Sequence, residues 1–288
     1  IGSGITVTAT GVIGGSGALT KSSDGVLVLS GTNTYTGGTV LSAGTIRVSN
    51  DGSLGGSAGG LTFSGGTLAA TAGFTDSRAV TLSSSGTLDV ASGQTLTMAG
   101  VFSGSGGVIK SNTGQLTLSG TNTYSGGTTI NAGTVSISSA DNLGTSNLTF
   151  GGGTLNVSSD ITTSKTVALT GAGTIDVDNS QTATLSGVIS GSGGALTKTG
   201  AGTLALGGIN TYDQGTTLTG GVISVSSDDA VGTGALTFNG GTLHASADAT
   251  LSNPTAMSAA GTIDVDNSVA LTLSSAITGT GGALTKTG

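Results

Sequence analysis

A Gly-x-apolar-x-apolar run heads each of twelve successive units of this 288-residue sequence, and no fold class survives that does not account for it. The runs begin at Gly25, Gly44, Gly66 and Gly86, at Gly114, Gly133, Gly153 and Gly173, and at Gly202, Gly221, Gly241 and Gly261. In the second and third groups the steps are 19, 20 and 20 residues; a step of 28 or 29 leads to the next group. Apolar residues at every second position make each run a short strand with one buried face. The inward set predicted by this alternation is Leu27/Leu29, Ile46/Val48, Leu68/Ala70, Leu88/Val90, Leu116/Leu118, Val135/Ile137, Leu155/Val157, Ile175/Val177, Leu204/Leu206, Ile223/Val225, Leu243/Ala245 and Ile263/Val265. The residue between each pair varies from Val28 and Arg47 through Ala69 and Asp89 to His244 and Asp264, as an outward position would. A unit of about 20 residues cannot bury such a face alone, whereas stacked units bury it continuously. The expected fold is therefore all-β, a β-solenoid of about 12 or more coils.

A second period of about 88 residues groups the coils. Tyr35, Tyr124 and Tyr212 stand 89 and 88 residues apart, and Lys21, Lys110, Lys198 and Lys286 step by 89, 88 and 88. Leu-Thr-Phe recurs at Leu61, Leu148 and Leu236. Composition narrows the chemistry. There are 56 glycines, one proline, no cysteine and 7% charged residues, with a formal net charge of −7. Glycine costs about 1 kcal/mol per helical position, which argues against helices. Collagen needs proline and a three-residue glycine period. Disulfides and cysteine metal sites are impossible. A nucleic-acid partner needs clustered Lys and Arg. No apolar run approaches the roughly 20 residues of a membrane helix, so membrane insertion of this segment is not expected.

Residues 193–208, GGALTKTGAGTLALGG, with the following INTYDQGTTL, resemble the autotransporter-associated β-strand repeat. The block returns at residues 106–135 and, more loosely, at 17–46. The resemblance implies a right-handed parallel β-helix and a passenger region, extracellular or at the outer-membrane surface of a Gram-negative bacterium. The chain reads as a single continuous β-solenoid over 1–288, a window of a longer array, with repeats at approximately 17–105, 106–193 and 194–281.

Several motifs spell chemistry without its context. Residues 55–59, GGSAG, match a nucleophile elbow, but no strand-to-helix turn is expected there and the one histidine, His244, lies many coils away. Residues 15–22 and 191–199 are similar to a phosphate loop, yet threonine replaces the glycine before Lys, and the corner is expected to carry a solvated lysine. Asp176/Asp178 and Asp264/Asp266 place two carboxylates on one strand face and are the candidates for Ca²⁺. Tyr35, Tyr124 and Tyr212 are candidates for surface contact with a ligand. No catalytic residue and no cofactor is expected. Expected partners are other copies of the same solenoid, or a glycan or cell surface. The function that fits is a structural or adhesive surface element without catalysis. A stalk for an effector domain and a polysaccharide-active β-helix using the aspartates are the alternatives.

Overall fold

The computed structural model describes residues 1–288. It is an all-β parallel solenoid, interrupted by short 3-10 turns at Asp51–Leu54 and Ala140–Leu143. The chain divides into two compact units, residues 1–137 with 141–146 and residues 138–140 with 147–288.

In the first unit, Thr67–Ala70 pairs with Gly86–Val90, which pairs with Val108–Ser111 and then Thr128–Ile130, all parallel. A second stack runs from Phe74–Asp76 through Thr95–Met98 and Gln115–Leu118 to Thr134–Ile137. In the second unit, Gly153–Val157 stacks on Gly173–Val177, then Leu196–Thr199, Thr216–Leu218, Leu236–Phe238 and Thr255–Met257. Beside it, Thr182–Leu185 leads through Thr203–Leu206, Val222–Val225 and Thr242–Ala245 to Gly261–Val265 and Leu284–Thr287.

The inward residues predicted from alternation are buried, apart from Leu27, which is half-buried next to the strand Thr6–Ala9. Each buried Leu, Ile or Val contributes about 2 kcal/mol of apolar burial, and only stacking makes that burial possible. The glycine-headed strands do not form one uninterrupted column. The last of each group, Gly86–Val90, Gly173–Val177 or Gly261–Val265, pairs with a Leu-x-Lys or Val-x-Lys strand from the longer unit. The next glycine-headed strand stacks instead on the added strand, Thr95–Met98 or Thr182–Leu185. The extra residues of the long unit thus advance the pattern by one sheet at each repeat.

Two glycine classes are set by contacts. Gly86, Gly173 and Gly261 lie under the rings of Phe63, Phe150 and Phe238, where a Cβ would come within 2.4, 2.7 and 2.4 Å of ring atoms. Gly44, Gly133 and Gly221 have φ of +65°, +68° and +64°, a left-handed conformation that glycine adopts without strain.

Candidate functional site

The three tyrosines belong to the interior, which corrects the expectation that they offer a surface contact. Tyr35, Tyr124 and Tyr212 are 2%, 0% and 0% exposed. Each ring lies against a glycine of the following coil, Gly55, Gly144 or Gly232, and a Cβ there would meet ring carbons at 2.6 to 2.9 Å. The missing side chain makes the slot for the ring. The hydroxyl is 2.6 Å from Thr39 Oγ1 in the first repeat and 2.5 Å from Thr128 and Thr216 in the others. Each threonine also donates to a carbonyl of the next coil, at Leu54, Leu143 or Val231. Burial pushes all three phenols above their ordinary pKa. Phe102 packs edge-on to Tyr124 with ring centroids 6.2 Å apart.

Two residues before each tyrosine, an asparagine ties three coils together. Asn122 Oδ1 accepts from Phe102 N–H at 2.8 Å, and its Nδ2 donates to Asn142 C=O at 2.6 Å. Asn33 does the same between Ile13 and Ser53, and Asn210 between Ile189 and Ala230. These buried amides satisfy backbone groups that the corner would otherwise leave unpaired.

Three of the four repeat lysines are interior as well, against the expectation of solvated corners, whereas Lys286 is exposed. Lys21, Lys110 and Lys198 are 3%, 0% and 0% exposed. Their strands have taken over the glycine-headed column, so Lys110 sits between Leu88 and Ile130 and Lys198 between Ile175 and Leu218. Lys110 Nζ donates to the carbonyls of Ser111 at 2.7 Å, Asn112 at 2.6 Å and Ala132 at 3.3 Å. Lys198 makes the same cage with Thr199, Gly200 and Gly220. Burial lowers both ammonium pKa values to about 8, opposed by Asp89 and Asp176 respectively. Lys21 donates to Ser23 and Ala43 carbonyls, so residues 15–22 turn their ammonium inward and form no phosphate cradle.

Chemistry-bearing side chains that face outward concentrate on one row of the glycine-headed strands. In the second repeat, Asn156 pairs with Asp176 in register. Asn156 Nδ2 donates to Asp176 Oδ2 at 2.9 Å and to Asp178 Oδ1 at 2.8 Å, and Thr199 Oγ1 donates to Asp176 Oδ1 at 2.8 Å. An amide therefore occupies the place between the two calcium-candidate carboxylates. In the third repeat, His244 takes the position of Asn156 and pairs with Asp264. Its Nε2 is 3.0 Å from Asp266 Oδ1 and 3.9 Å from Asp264 Oδ2. Its Nδ1 is 3.1 Å from Ser224 Oγ on the preceding strand, a partner that motif reading missed and that the row Ser224, His244, Asp264 would have revealed. In both repeats a nitrogen side chain meets the carboxylates of the neighbouring strand, which is how polar residues stack on successive coils.

The first repeat departs from this. Its row reads Arg47, Ala69, Asp89, in register, with Ala91 where the later repeats have a second aspartate. Asp89 accepts from Ser111 Oγ at 3.2 Å and Asn112 Nδ2 at 3.1 Å. Arg47 is exposed and its guanidinium meets no acceptor of the protein. Above the two alanines lies a hollow of about 360 Å³.

A further polar group went unnoticed in the sequence. Arg78 is buried, with Nη1 against Asp51 and 3.1 Å from Asp76 Oδ1, and Nη2 donating to Gly55 C=O at 2.6 Å. Burial raises the Asp76 pKa despite this pairing. Asn253, the third-repeat counterpart of Arg78, donates to the Gly232 and Gly234 carbonyls instead.

Comparison with known proteins follows the interior, not the surface. The passenger-associated-transport-repeat matches residues 19–48, 108–137 and 196–225. Each matched stretch runs from a caged lysine through the Asn-Thr-Tyr corner to a glycine-headed strand. The resemblance expected from the sequence is thereby found at all three copies. An 84-residue stretch is 40% identical to the adhesin BmaC autotransporter of Brucella suis biovar 1 (strain 1330). That stretch is 29% of this chain and 2% of the adhesin, so the chain matches a small part of that relative's length. No solved structure matches.

Proposed function

We propose that this chain is an adhesive passenger segment, displayed outside a Gram-negative cell or at its outer-membrane surface, which holds the cell to a surface and carries out no catalysis. One observation carries the reading: a passenger-associated-transport-repeat recurs three times, at steps of 89 and 88 residues, within a β-solenoid that buries the lysine, asparagine and tyrosine of each copy. A tiled interior gives many equivalent coils and a surface free to vary. That favours attachment over a single reaction centre, because catalysis needs one constellation held in one place. The relative named an adhesin agrees with this use of the repeat. Attachment to host or abiotic surfaces, matrix building and association with other copies of the same solenoid are the roles such a segment would serve.

The test is display. The 288 residues fused to a heterologous outer-membrane anchor on a non-adherent Gram-negative host should raise retention on epithelial monolayers or glass under flow. The comparison is a non-adhesive passenger of equal length. Retention equal to that control, with display confirmed by surface proteolysis, would remove the adhesive reading.

A further inference from the structure

The outward row of the first repeat has lost the side chains that fill it in the other two. Asn156 and His244 occupy one register position; the first repeat has Ala69 there, and it has Ala91 where the others have Asp178 and Asp266. The amide donor to Asp89 is instead Asn112, which stands where the other repeats have Gly200 and Gly288, so the register position of Asn156 and His244 is left without a polar side chain. Asp89 keeps its two local hydrogen bonds, from Ser111 and Asn112, and faces the hollow of about 360 Å³. Arg47, two strands from Asp89 and so about 9–10 Å away along the stacking direction, borders the same hollow with an unpaired guanidinium. An unpaired cation, a carboxylate oriented by two local donors and a gap between them, where the other repeats place Asn156 or His244, describe a site that an outside ligand completes.

We infer that this hollow binds a carboxylated sugar residue of a glycan, its carboxylate on Arg47 and its hydroxyls on Asp89 and the flanking threonines. Arg47 presents a planar fork of donors suited to a carboxylate. Asp89 is acceptor-only when ionised, so it takes hydroxyl protons. Thr45 and Thr67 add hydroxyls on the same face, and Ala69 and Ala91 line the hollow beside Thr71 and Asn112. The lining offers no aromatic or large apolar surface for a peptide side chain, which favours a sugar ring bearing hydroxyls on several sides. The inference deepens the adhesive reading and rests on it for its biological sense, while the binding event stands alone.

The experiment is an NMR titration of the purified chain with galacturonate oligomers and sialyllactose, against galactose oligomers and lactose. Two variants accompany it. Ala69→Asn places in the hollow the group that Asn156 supplies in the second repeat, and Arg47→Gln removes the cation from an exposed position. The expected result is binding of at least one acidic sugar, with its neutral partner at least about tenfold weaker. Either variant should weaken the acidic sugar by about tenfold or more, and Arg47→Gln should also erase the acid-over-neutral preference. Circular dichroism melting should match the parent for both. Equal binding of neutral and acidic sugars, unchanged affinity in Ala69→Asn, or binding of an acidic tetrapeptide while the sugars fail would each overturn the inference. A chain that retains cells under flow yet ignores every sugar refutes the hollow's assignment and leaves the adhesive reading intact.

Discussion

An ammonium taken out of water destabilises a fold unless acceptors surround it. Lys110 and Lys198 show how the coil corner supplies them, three carbonyls apiece. Their folded pKa values, about 8, lie below the ordinary lysine value near 10.4. Between those limits the unfolded chain binds more protons than the folded one, so stability should rise with pH from about 8 to 10. Below about 8 both states hold the proton and the penalty is constant. The buried tyrosines act in the opposite sense. Their pKa values are raised above the ordinary 10 or so, so the folded chain keeps protons that the unfolded chain releases, and stability should fall above about pH 10. Urea midpoints measured from pH 7 to 11 should therefore pass through a maximum near pH 10. In Lys110→Met/Lys198→Met the rise should disappear and the fall remain; a parent midpoint that declines steadily from pH 8 would contradict the burial argument. These inward lysines were legible in one respect, since Lys198 shares the alternation phase of Leu196. Charge was the misleading signal, because lone lysines in glycine corners are usually solvated. The tyrosines misled for a related reason: their slots are made by Gly55, Gly144 and Gly232, each 20 residues away in sequence.

At the level of the coil, the sequence carries the strand phases, and the contacts between coils carry the specificity. The Leu-Thr-Phe triplets and the glycines heading Gly86–Val90, Gly173–Val177 and Gly261–Val265 are each visible as a period, but nothing in either announces that one ring covers the other. In the fold, Phe150 leaves no room above Gly173. Gly173→Ala should lower stability by about 1–3 kcal/mol through overpacking, and the loss should shrink when Phe150→Leu is added. Additive effects in that double-mutant cycle would dissociate the two. The corner at Arg78 is the other case. Its side chain neutralises Asp76 and Asp51 and closes on Gly55, where the third repeat manages with Asn253. Arg78→Met would strand the buried Asp76 carboxylate, with an expected loss of about 3–5 kcal/mol by denaturant titration. Asp76→Asn should recover part of it by removing the orphaned charge. If Arg78→Met melts like the parent, the pair adds nothing.

Across the molecule, repetition explains why the fold was readable and the site was not. Every inward pair recurs at coil spacing, so the alternation could be checked against itself twelve times over, and Leu27 alone is less than buried. The change of sheet at each repeat escaped notice because it depends on the length of the added stretch, which no local pattern encodes. The hollow over Ala69 escaped notice for the opposite reason: it is a departure from the repeat, and an alanine is a weak signal. The same repetition governs stability. The hydrogen bonds of the Asn-Thr-Tyr corners reach 4 to 22 residues along the chain, so each coil is secured by its immediate neighbours. Solenoids held this way behave as sums of unit and nearest-neighbour terms, and opening begins where neighbours are fewest. Thr6–Ala9 and Leu284–Thr287 are largely exposed, whereas Gly86–Val90 and Thr203–Leu206 alternate buried and half-buried residues between paired strands on both sides. Native-state hydrogen exchange should show a gradient, with the amides of Thr6–Ala9 and Leu284–Thr287 exchanging at least about a hundredfold faster than those of Gly86–Val90 and Thr203–Leu206. Arg78→Met should speed exchange in the coils around residue 78 and leave Thr203–Leu206 unchanged. Uniform protection throughout, with one variant accelerating every amide equally, would mean all-or-none unfolding and would refute the nearest-neighbour account.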